Sequence, residues 1–276
     1  SNPTNAILGS DVSSIVSNNS AFAAIKADGS VVTWGSSSSG GDSSSVESSL
    51  SSDVSSIVST GTAFAALKGD GSVVTWGYSD YGMETGADSS SVDLSSGVSS
   101  IVSADGAFAA LKEDGSVVTW GDPDRGGDSA SVADSLTNVS SIVSNGNAFA
   151  AIKTDGSVVT WGYGSNSSDS YNYGGDSSSV ASSLSSGVSS IVGTDLAFAA
   201  MKTDGSVVTW GRDSYGGDSS SVESSLSSGV SSIVGADLAF AALKEDGSVV
   251  TWGSSANGGN SSGVASSLTS GVSSIV

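Results

Sequence analysis

An all-β propeller of six blades is the fold class this sequence predicts, on three observations. The string Ala-Phe-Ala-Ala-(Ile/Leu/Met)-Lys-x-Asp-Gly-Ser-Val-Val-Thr-Trp-Gly occurs six times in 276 residues, with its tryptophans at Trp34, Trp76, Trp120, Trp161, Trp210 and Trp252. Each copy reads as two short apolar runs around a turn. The period of about 43 residues, with about four strands in each unit, is that of a propeller blade.

The elements of a unit follow in fixed order. Val-Ser-Ser-Ile-Val comes first, beginning at Val12, Val54, Val98, Val139, Val188 and Val230, always 10 residues before a Phe; it reads as a short strand. The Ala-Phe-Ala-Ala and Val-Val-Thr-Trp runs follow, joined by one residue plus Asp-Gly. That is a hairpin signal, because both turn positions favour φ > 0, so residues 63–76 are expected to form a β-hairpin. Phe22, Phe64, Phe108, Phe149, Phe198 and Phe240 each precede their Trp by 12 residues. Both hairpin strands are apolar on both faces, as inner strands covered by neighbouring blades must be. The Ser-Ser-Val-x-Ser-Ser-Leu segment, with apolar residues four apart, is read as a fourth strand. The repeats then run approximately 12–53, 54–97, 98–138, 139–187, 188–229 and 230–271, in a single domain over 1–276.

Composition narrows the chemistry. There is no His and no Cys, and 28 acidic residues against 8 basic ones leave a net charge of −20. An imidazole base, a thiol nucleophile, a disulfide and the usual zinc or haem ligands are therefore absent. Clustered cations for phosphate are lacking too, which argues against nucleic acid and anionic membranes. The longest apolar blocks are far too short to span a bilayer, so no membrane insertion is expected. The 73 Ser and 37 Gly would suit a flexible linker, but the apolar residues recur in ordered blocks and the chain should fold.

The stretch at residues 54–77, Val-Ser-Ser-Ile-Val-Ser-Thr-Gly-Thr-Ala-Phe-Ala-Ala-Leu-Lys-Gly-Asp-Gly-Ser-Val-Val-Thr-Trp-Gly, resembles the repeat of the regulator of chromosome condensation family. That resemblance implies a propeller, usually of seven blades, in a family of nucleotide-exchange factors, inhibitors and interaction platforms. Two departures stand out. A Gly-x-x-His segment of the family is here Gly61-Thr62-Ala63-Phe64, and its Gly-Gln-Leu-Gly after the Trp is replaced by Gly-Gly-Asp, as at 126–128. The scaffold and its habit of binding proteins carry over; the chromatin role conflicts with the acidic balance.

The six units differ chiefly in one loop. From each Trp to the Asp (or Asn260) of the Gly-Gly-Asp segment the distances are 8, 12, 8, 15, 8 and 8, while the Val-to-Phe and Phe-to-Trp spacings never change. That loop holds every tyrosine and both arginines. Tyr with Ser, Gly, Asn and Asp on loops over a rigid scaffold is the composition of an adaptable binding surface. The candidate binding residues are Tyr78, Asp80, Tyr81, Met83, Glu84, Asp122, Asp124, Arg125, Tyr163, Asn166, Asp169, Tyr171, Asn172, Tyr173, Arg212, Asp213 and Tyr215. On a propeller, equivalent loops would gather on one face.

Other residue sets have simpler readings. The tryptophans, fixed at strand ends, are assigned to packing between blades rather than to carbohydrate stacking. Asp28, Asp70, Asp114, Asp155, Asp204 and Asp246 are turn residues. The repeated Lys26, Lys68, Lys112, Lys153, Lys202 and Lys244 read as solvated rim charges, not catalytic amines. Asp42, Asp88, Asp128, Asp176 and Asp218 are read as closing a turn. Calcium is the alternative cofactor there, with Asp122, Asp124 and Asp128 nearest to a ligand set, although no stretch matches a calcium loop. A hydrolase with paired carboxylates would break the symmetry of the strands, which are nearly uniform, so no catalytic residue is expected.

A further Val-Ser-Ser-Ile-Val at 272–276 forms a surplus half-repeat. It leaves three arrangements: a piece of a longer array, a doubled edge, or pairing with another subunit by strand addition. A seven-bladed or open ring is the alternative to six blades. The expectation is a non-enzymatic scaffold, extracellular or at the cell surface, that presents its variable loops to a protein or glycan ligand. The alternative is a self-assembling structural subunit joined into a homo-oligomer or filament by terminal strand exchange.

Overall fold

The computed structural model describes residues 11–78, 86–164 and 171–276. Its strands form six three-stranded antiparallel sheets, each in simple sequence order. The chain divides into two compact units, one of Ser1–Asp114 with Val118–Asp122, the other of Gly115–Val117 with Pro123–Val276. The first carries β1 (Val12–Ser17), β2 (Ala21–Lys26) and β3 (Val31–Gly35), then β4 (Val54–Ser59), β5 (Ala63–Lys68) and β6 (Val73–Gly77), then β7 (Val98–Ser103), β8 (Ala107–Lys112) and nearly all of β9 (Val117–Gly121). The second carries β10 (Val139–Ser144), β11 (Ala148–Lys153) and β12 (Val158–Gly162), then β13 (Val188–Gly193), β14 (Ala197–Lys202) and β15 (Val207–Gly211), then β16 (Val230–Gly235), β17 (Ala239–Lys244) and β18 (Val249–Gly253).

The constant Phe-to-Trp spacing is a register. In the hairpin of β5 and β6, Phe64 lies directly across from Trp76 and Leu67 across from Val73, so the rings stack at 5.2 Å. The turn between them differs from the expected Asp-Gly pair with two positive φ values. Gly71 donates its N–H to the Lys68 carbonyl, Lys68 donates to the Ser72 carbonyl, and Gly71 alone has positive φ, at 77°. This is a three-residue loop with glycine in the left-handed position, which spares Asp70 that strain.

Serine accounts for the outer strand. Each Val-Ser-Ser-Ile-Val strand slips register after its first residue, as between Val54 and Ser56, and the bulged Ser55 hydroxyl donates to the Leu67 carbonyl at 3.0 Å. Ser13, Ser99, Ser140, Ser189 and Ser231 do the same for Ile25, Leu111, Ile152, Met201 and Leu243. The hydroxyl thus adds a donor to the carbonyl that faces the bulge.

The fourth strand is not formed. Five of these segments instead take a short 3-10 turn, at Ser44–Val46, Ala130–Ser135, Ser178–Val180, Ser220–Val222 and Ser262–Ser267, the fourth of these continuing into an α-helical turn at Glu223–Leu226; in the second repeat Val92 donates its N–H to the Ser89 carbonyl in a simple turn. Asp42 shows why: its carboxylate accepts the N–H of Ser44 at 3.0 Å and starts the turn. The four-residue spacing of Val46 and Leu50 then places both on one side. Leu50 is buried, and its carbonyl accepts the N–H of Val31, the first residue of β3.

Successive sheets within a unit pack through apolar faces. Phe64, Ala66 and Trp76 belong to a core with Ala21, Ala23 and Ile25 of the preceding sheet. Ala63, Ala65 and Leu67, alternating with them along β5, belong to the next core with Phe108, Ala110 and Trp120. The second unit repeats this, with Phe198 in one core and Ala197 and Ala199 in the following one. The central strand is covered on both faces, as its sequence required. Burying one such Phe stabilises by roughly 1.5–3 kcal/mol.

Candidate functional site

The joint between successive sheets is closed by the Gly-Gly segment. The Trp161 indole N–H donates to the Gly126 carbonyl at 3.0 Å. Gly126 has φ of 95°, and a Cβ there would come within 2.6 Å of the Phe149 ring, so only glycine lets this loop lie on the aromatic pair. Trp76, Trp120, Trp210 and Trp252 make the same bond to Gly40, Gly86, Gly174 and Gly216. These five tryptophans are buried packing residues, as their fixed position implied.

From this rigid base the longest variable loop rises in the second unit. It is stapled from within. Tyr173 and Gly175 both donate N–H to the Tyr163 carbonyl. Asn172 donates its side-chain amide to the Asp176 carbonyl and accepts the Gly174 N–H. The buried Asn145 side chain donates to the Tyr173 carbonyl at 2.7 Å and accepts two N–H bonds from Asn147 and Ala148. Asn145 was missed from sequence, although Asn occurs at this position in two units (Asn18, Asn145) against Thr60, Ala104, Thr194 and Ala236 elsewhere.

The stapled loop meets Arg212, which follows β15. Its guanidinium carbon lies 4.6 Å from the Tyr171 ring centre, 5.0 Å from that of Tyr215 and 5.5 Å from that of Tyr173. Nη1 donates to the Tyr173 hydroxyl at 3.1 Å. Tyr163 stacks on Tyr173 at 4.5 Å, and Tyr171 lies parallel to Tyr173 at 6.3 Å. Tyr171 is 53% exposed; the other members are half-buried. No carboxylate among the described residues forms an ion pair with Arg212.

A cleft of about 540 Å³ adjoins this cluster, lined by Asn172, Trp210, Asp213, Asp218, Ser219 and Glu223 along β15. Asp218 was read from sequence as closing a turn, whereas Ser219 and Glu223 belong to the turns that replace the fourth strand and escaped a reading that treated it as sheet. Of the predicted residues, the structure thus brings together Tyr163, Tyr171, Asn172, Tyr173, Arg212, Asp213 and Tyr215. Asp124 and Arg125 stand in the corresponding loop after β9, while Tyr78 and Asp122 fall in the first unit. Asp80, Tyr81, Met83, Glu84, Asn166 and Asp169 lie outside the described residues.

The two repeated acidic sets are turn residues. Asp70 accepts from the Ser72 hydroxyl at 2.6 Å and the Ser72 N–H at 2.9 Å, and the hydroxyl bond foremost holds its carboxyl below the usual range. Asp28, Asp155, Asp204 and Asp246 are held alike by Ser30, Ser157, Ser206 and Ser248. Asp88, Asp128, Asp176 and Asp218 each accept the N–H two residues on, as Asp42 does. Among the described residues no three acidic side chains converge on a metal position, and no helix is long and apolar enough to cross a membrane. The repeated lysines are not wholly solvated: Lys202 and Lys244 donate to the carbonyls of Ser183 and Ser225.

No protein-family model matches the chain, and no curated protein matches it. Solved structures do. Human WBSCR16 is similar at 17% identity and a TM-score of 0.52, over 89% of this chain and 77% of that one. Yeast RCC1 (Prp20), crystallised bound to Kap60, is similar at 15% identity and 0.51, over 87% and 69%. The ectodomain of the Arabidopsis thaliana receptor kinase ACR4 follows at 16% and 0.48, over 88% and 85%. At these identities the likeness concerns fold alone; that to WBSCR16 and Prp20, with the six repeated sheets, makes the chain an all-β propeller of RCC1-like repeats, with three strands in each repeat rather than four.

Proposed function

We propose that the protein is a non-enzymatic binding scaffold, in an extracellular or cell-surface setting, that recognises a protein ligand through the Arg212–tyrosine surface. One observation carries the reading. In a chain of net charge −20, Arg212 is held against three tyrosine rings without a carboxylate partner among the described residues. Its guanidinium is held among the rings and donates through Nη1 to the Tyr173 hydroxyl, and Arg and Tyr are both enriched at binding hot spots. Aromatic rings fix its plane at low entropic cost, and a ligand carboxylate can take it bidentately. Yeast Prp20, similar in fold, was crystallised bound to a protein, Kap60.

The test is selection of ligands from a displayed peptide library and a glycan array, followed by Kd measurement on Arg212→Ala and Tyr171→Ala. Selected peptides are expected to carry an acidic residue. They should weaken by roughly 30-fold on Arg212→Ala, the scale of a 2 kcal/mol hot spot. Peptide affinities unchanged in both variants, or ligands found only on the glycan array, would overturn the reading.

A further inference from the structure

One buried side chain ties the Arg212–tyrosine surface to the interior. Asn145, in the turn between β10 and β11, is 6% exposed and uses its amide in two directions. Its Oδ1 accepts the N–H groups of Asn147 at 2.8 Å and Ala148 at 2.7 Å, which closes the turn. Its Nδ2 donates at 2.7 Å to the Tyr173 carbonyl, 28 residues further on. Residue type separates the two arms. Thr60 and Thr194 hold the same place in other repeats and supply the first arm, accepting the N–H of Ala63 at 3.1 Å and of Ala197 at 3.2 Å. Asn18 supplies both, accepting from Ser20 and Ala21 and donating at 2.7 Å to the Ser39 carbonyl.

The long arm matters most where the loop is longest. After β12 the loop closes by N–H bonds from Tyr173 and Gly175 to the Tyr163 carbonyl; after β3 it closes in the same way, by Ser39 and Gly41 on the Ser36 carbonyl. The closing residues Tyr163 and Tyr173 are ten apart, whereas Ser36 and Ser39 are three apart, so closure after β12 costs more chain entropy. The Nδ2 bond adds its hold at Tyr173, whose ring stacks on Tyr163 at 4.5 Å and whose hydroxyl accepts from Arg212 Nη1 at 3.1 Å. Gly174, the next residue, is seated on Phe198, where a Cβ would come within 2.6 Å of the ring. The backbone beside the tyrosine cluster is thus gripped from two successive sheets.

We propose that Asn145 is the positioning residue of the Arg212–tyrosine surface: from its buried place it holds the Tyr173 backbone so that the Tyr173 ring and hydroxyl meet the Arg212 guanidinium before a ligand arrives. Asn145 acts through Tyr173 and touches no ligand. Its effect on affinity rests on the reading of that surface as a ligand site; its effect on the Arg212–tyrosine contact does not. A surface assembled in advance spares the ligand the cost of ordering Tyr173 and Arg212. Where only a fraction of the molecules is assembled, the apparent Kd rises by the inverse of that fraction. Affinity is then set by a residue of the neighbouring sheet that lies outside the variable loop.

The experiment compares Asn145→Thr with Asn18→Thr in the full chain. Each keeps the turn-closing arm, as Thr60 and Thr194 do, and removes one long bond, so the two should lose similar stability. The chain has two arginines, Arg125 and Arg212, so their Nε–H signals are readily told apart in a proton–nitrogen NMR spectrum, and that of Arg212 is displaced by three tyrosine rings. Asn145→Thr should move the Arg212 signal towards its unstacked position and leave that of Arg125; Asn18→Thr should move neither. The Kd of the acidic peptide selected on the wild-type protein should rise about five- to tenfold in Asn145→Thr, the factor one neutral hydrogen bond carries, and stay unchanged in Asn18→Thr. An Arg212 signal that keeps its place in Asn145→Thr overturns the proposal. So does a Kd that Arg212→Ala raises and Asn145→Thr does not, or one that both threonine variants raise equally. A peptide that binds Arg212→Ala as well as wild type overturns the ligand-site reading instead, and the NMR shift then decides the positioning role alone.

Discussion

Replacing Trp161 by Phe tests the seat of the Gly126 loop on its aromatic pair where that seat is most complete. Trp161 is fully buried, stacks on Phe149 at 5.3 Å with planes 17° apart, and donates to the Gly126 carbonyl at 3.0 Å. Phe keeps the stack but removes the donor, leaving a carbonyl in a place that water reaches poorly; an unsatisfied buried group costs about 1–3 kcal/mol. The smaller ring also leaves a void, cheaper than the roughly 3–5 kcal/mol of truncation to Ala. Together these predict a loss of about 2–4 kcal/mol. Urea unfolding followed by circular dichroism measures it, with Trp34→Phe as the control. Trp34 is half-exposed and lacks the glycine carbonyl, so that change should cost less than about 1 kcal/mol. Equal losses in the two variants would refute the joint as the source of stability.

Three further outcomes follow from local geometry. Asp53 holds φ of 66° where other units have Gly97, Gly187, Gly229 and Gly271 at 71° to 79°; Asp53→Gly should therefore raise the unfolding midpoint, by about 0.5–1 kcal/mol of stability. Ser140→Ala removes the hydroxyl bond to the Ile152 carbonyl at the bulge and should cost about 0.5–1.5 kcal/mol in the same assay. Asp70 has its carboxyl lowered from 3.8 chiefly by the Ser72 hydroxyl. A depressed carboxyl contributes stability above its unfolded value and loses it as pH falls through the folded one. The Tm advantage of wild type over Ser72→Ala should thus be full at neutral pH and shrink below about pH 3.8; an advantage that grows in acid would contradict the assignment.

Much of the fold was written in spacing. Twelve residues from Phe64 to Trp76 is the hairpin register itself, and the two-sided apolar pattern of Ala63 to Leu67 is the signature of a strand packed on both faces. The outer segment was misjudged because Val46 and Leu50, four apart, obey a helical period, and because Asp42 starts a turn by a bond to the backbone, which a pattern of apolar residues does not display. The Ser55 bulge was equally hidden, since a hydroxyl answering one carbonyl leaves no periodic trace beyond the serine. At the candidate site, the gathering of Tyr and Arg in the variable loop pointed to the right segment. Which of them meet depends on long-range anchors, the Asn145 bond to the Tyr173 carbonyl and the seating of Gly174 on Phe198, which local sequence does not encode.

The Arg212–tyrosine surface is where a partner is expected to land. Amide hydrogen exchange of the chain with and without a saturating peptide ligand, selected on the wild-type protein, addresses that directly. Protection is predicted in peptides covering Tyr171 to Gly175 and Arg212 to Ser220, with none in the hairpin turns such as Lys26 to Ser30. Protection of those turns, with the tyrosine loop unchanged, would contradict it.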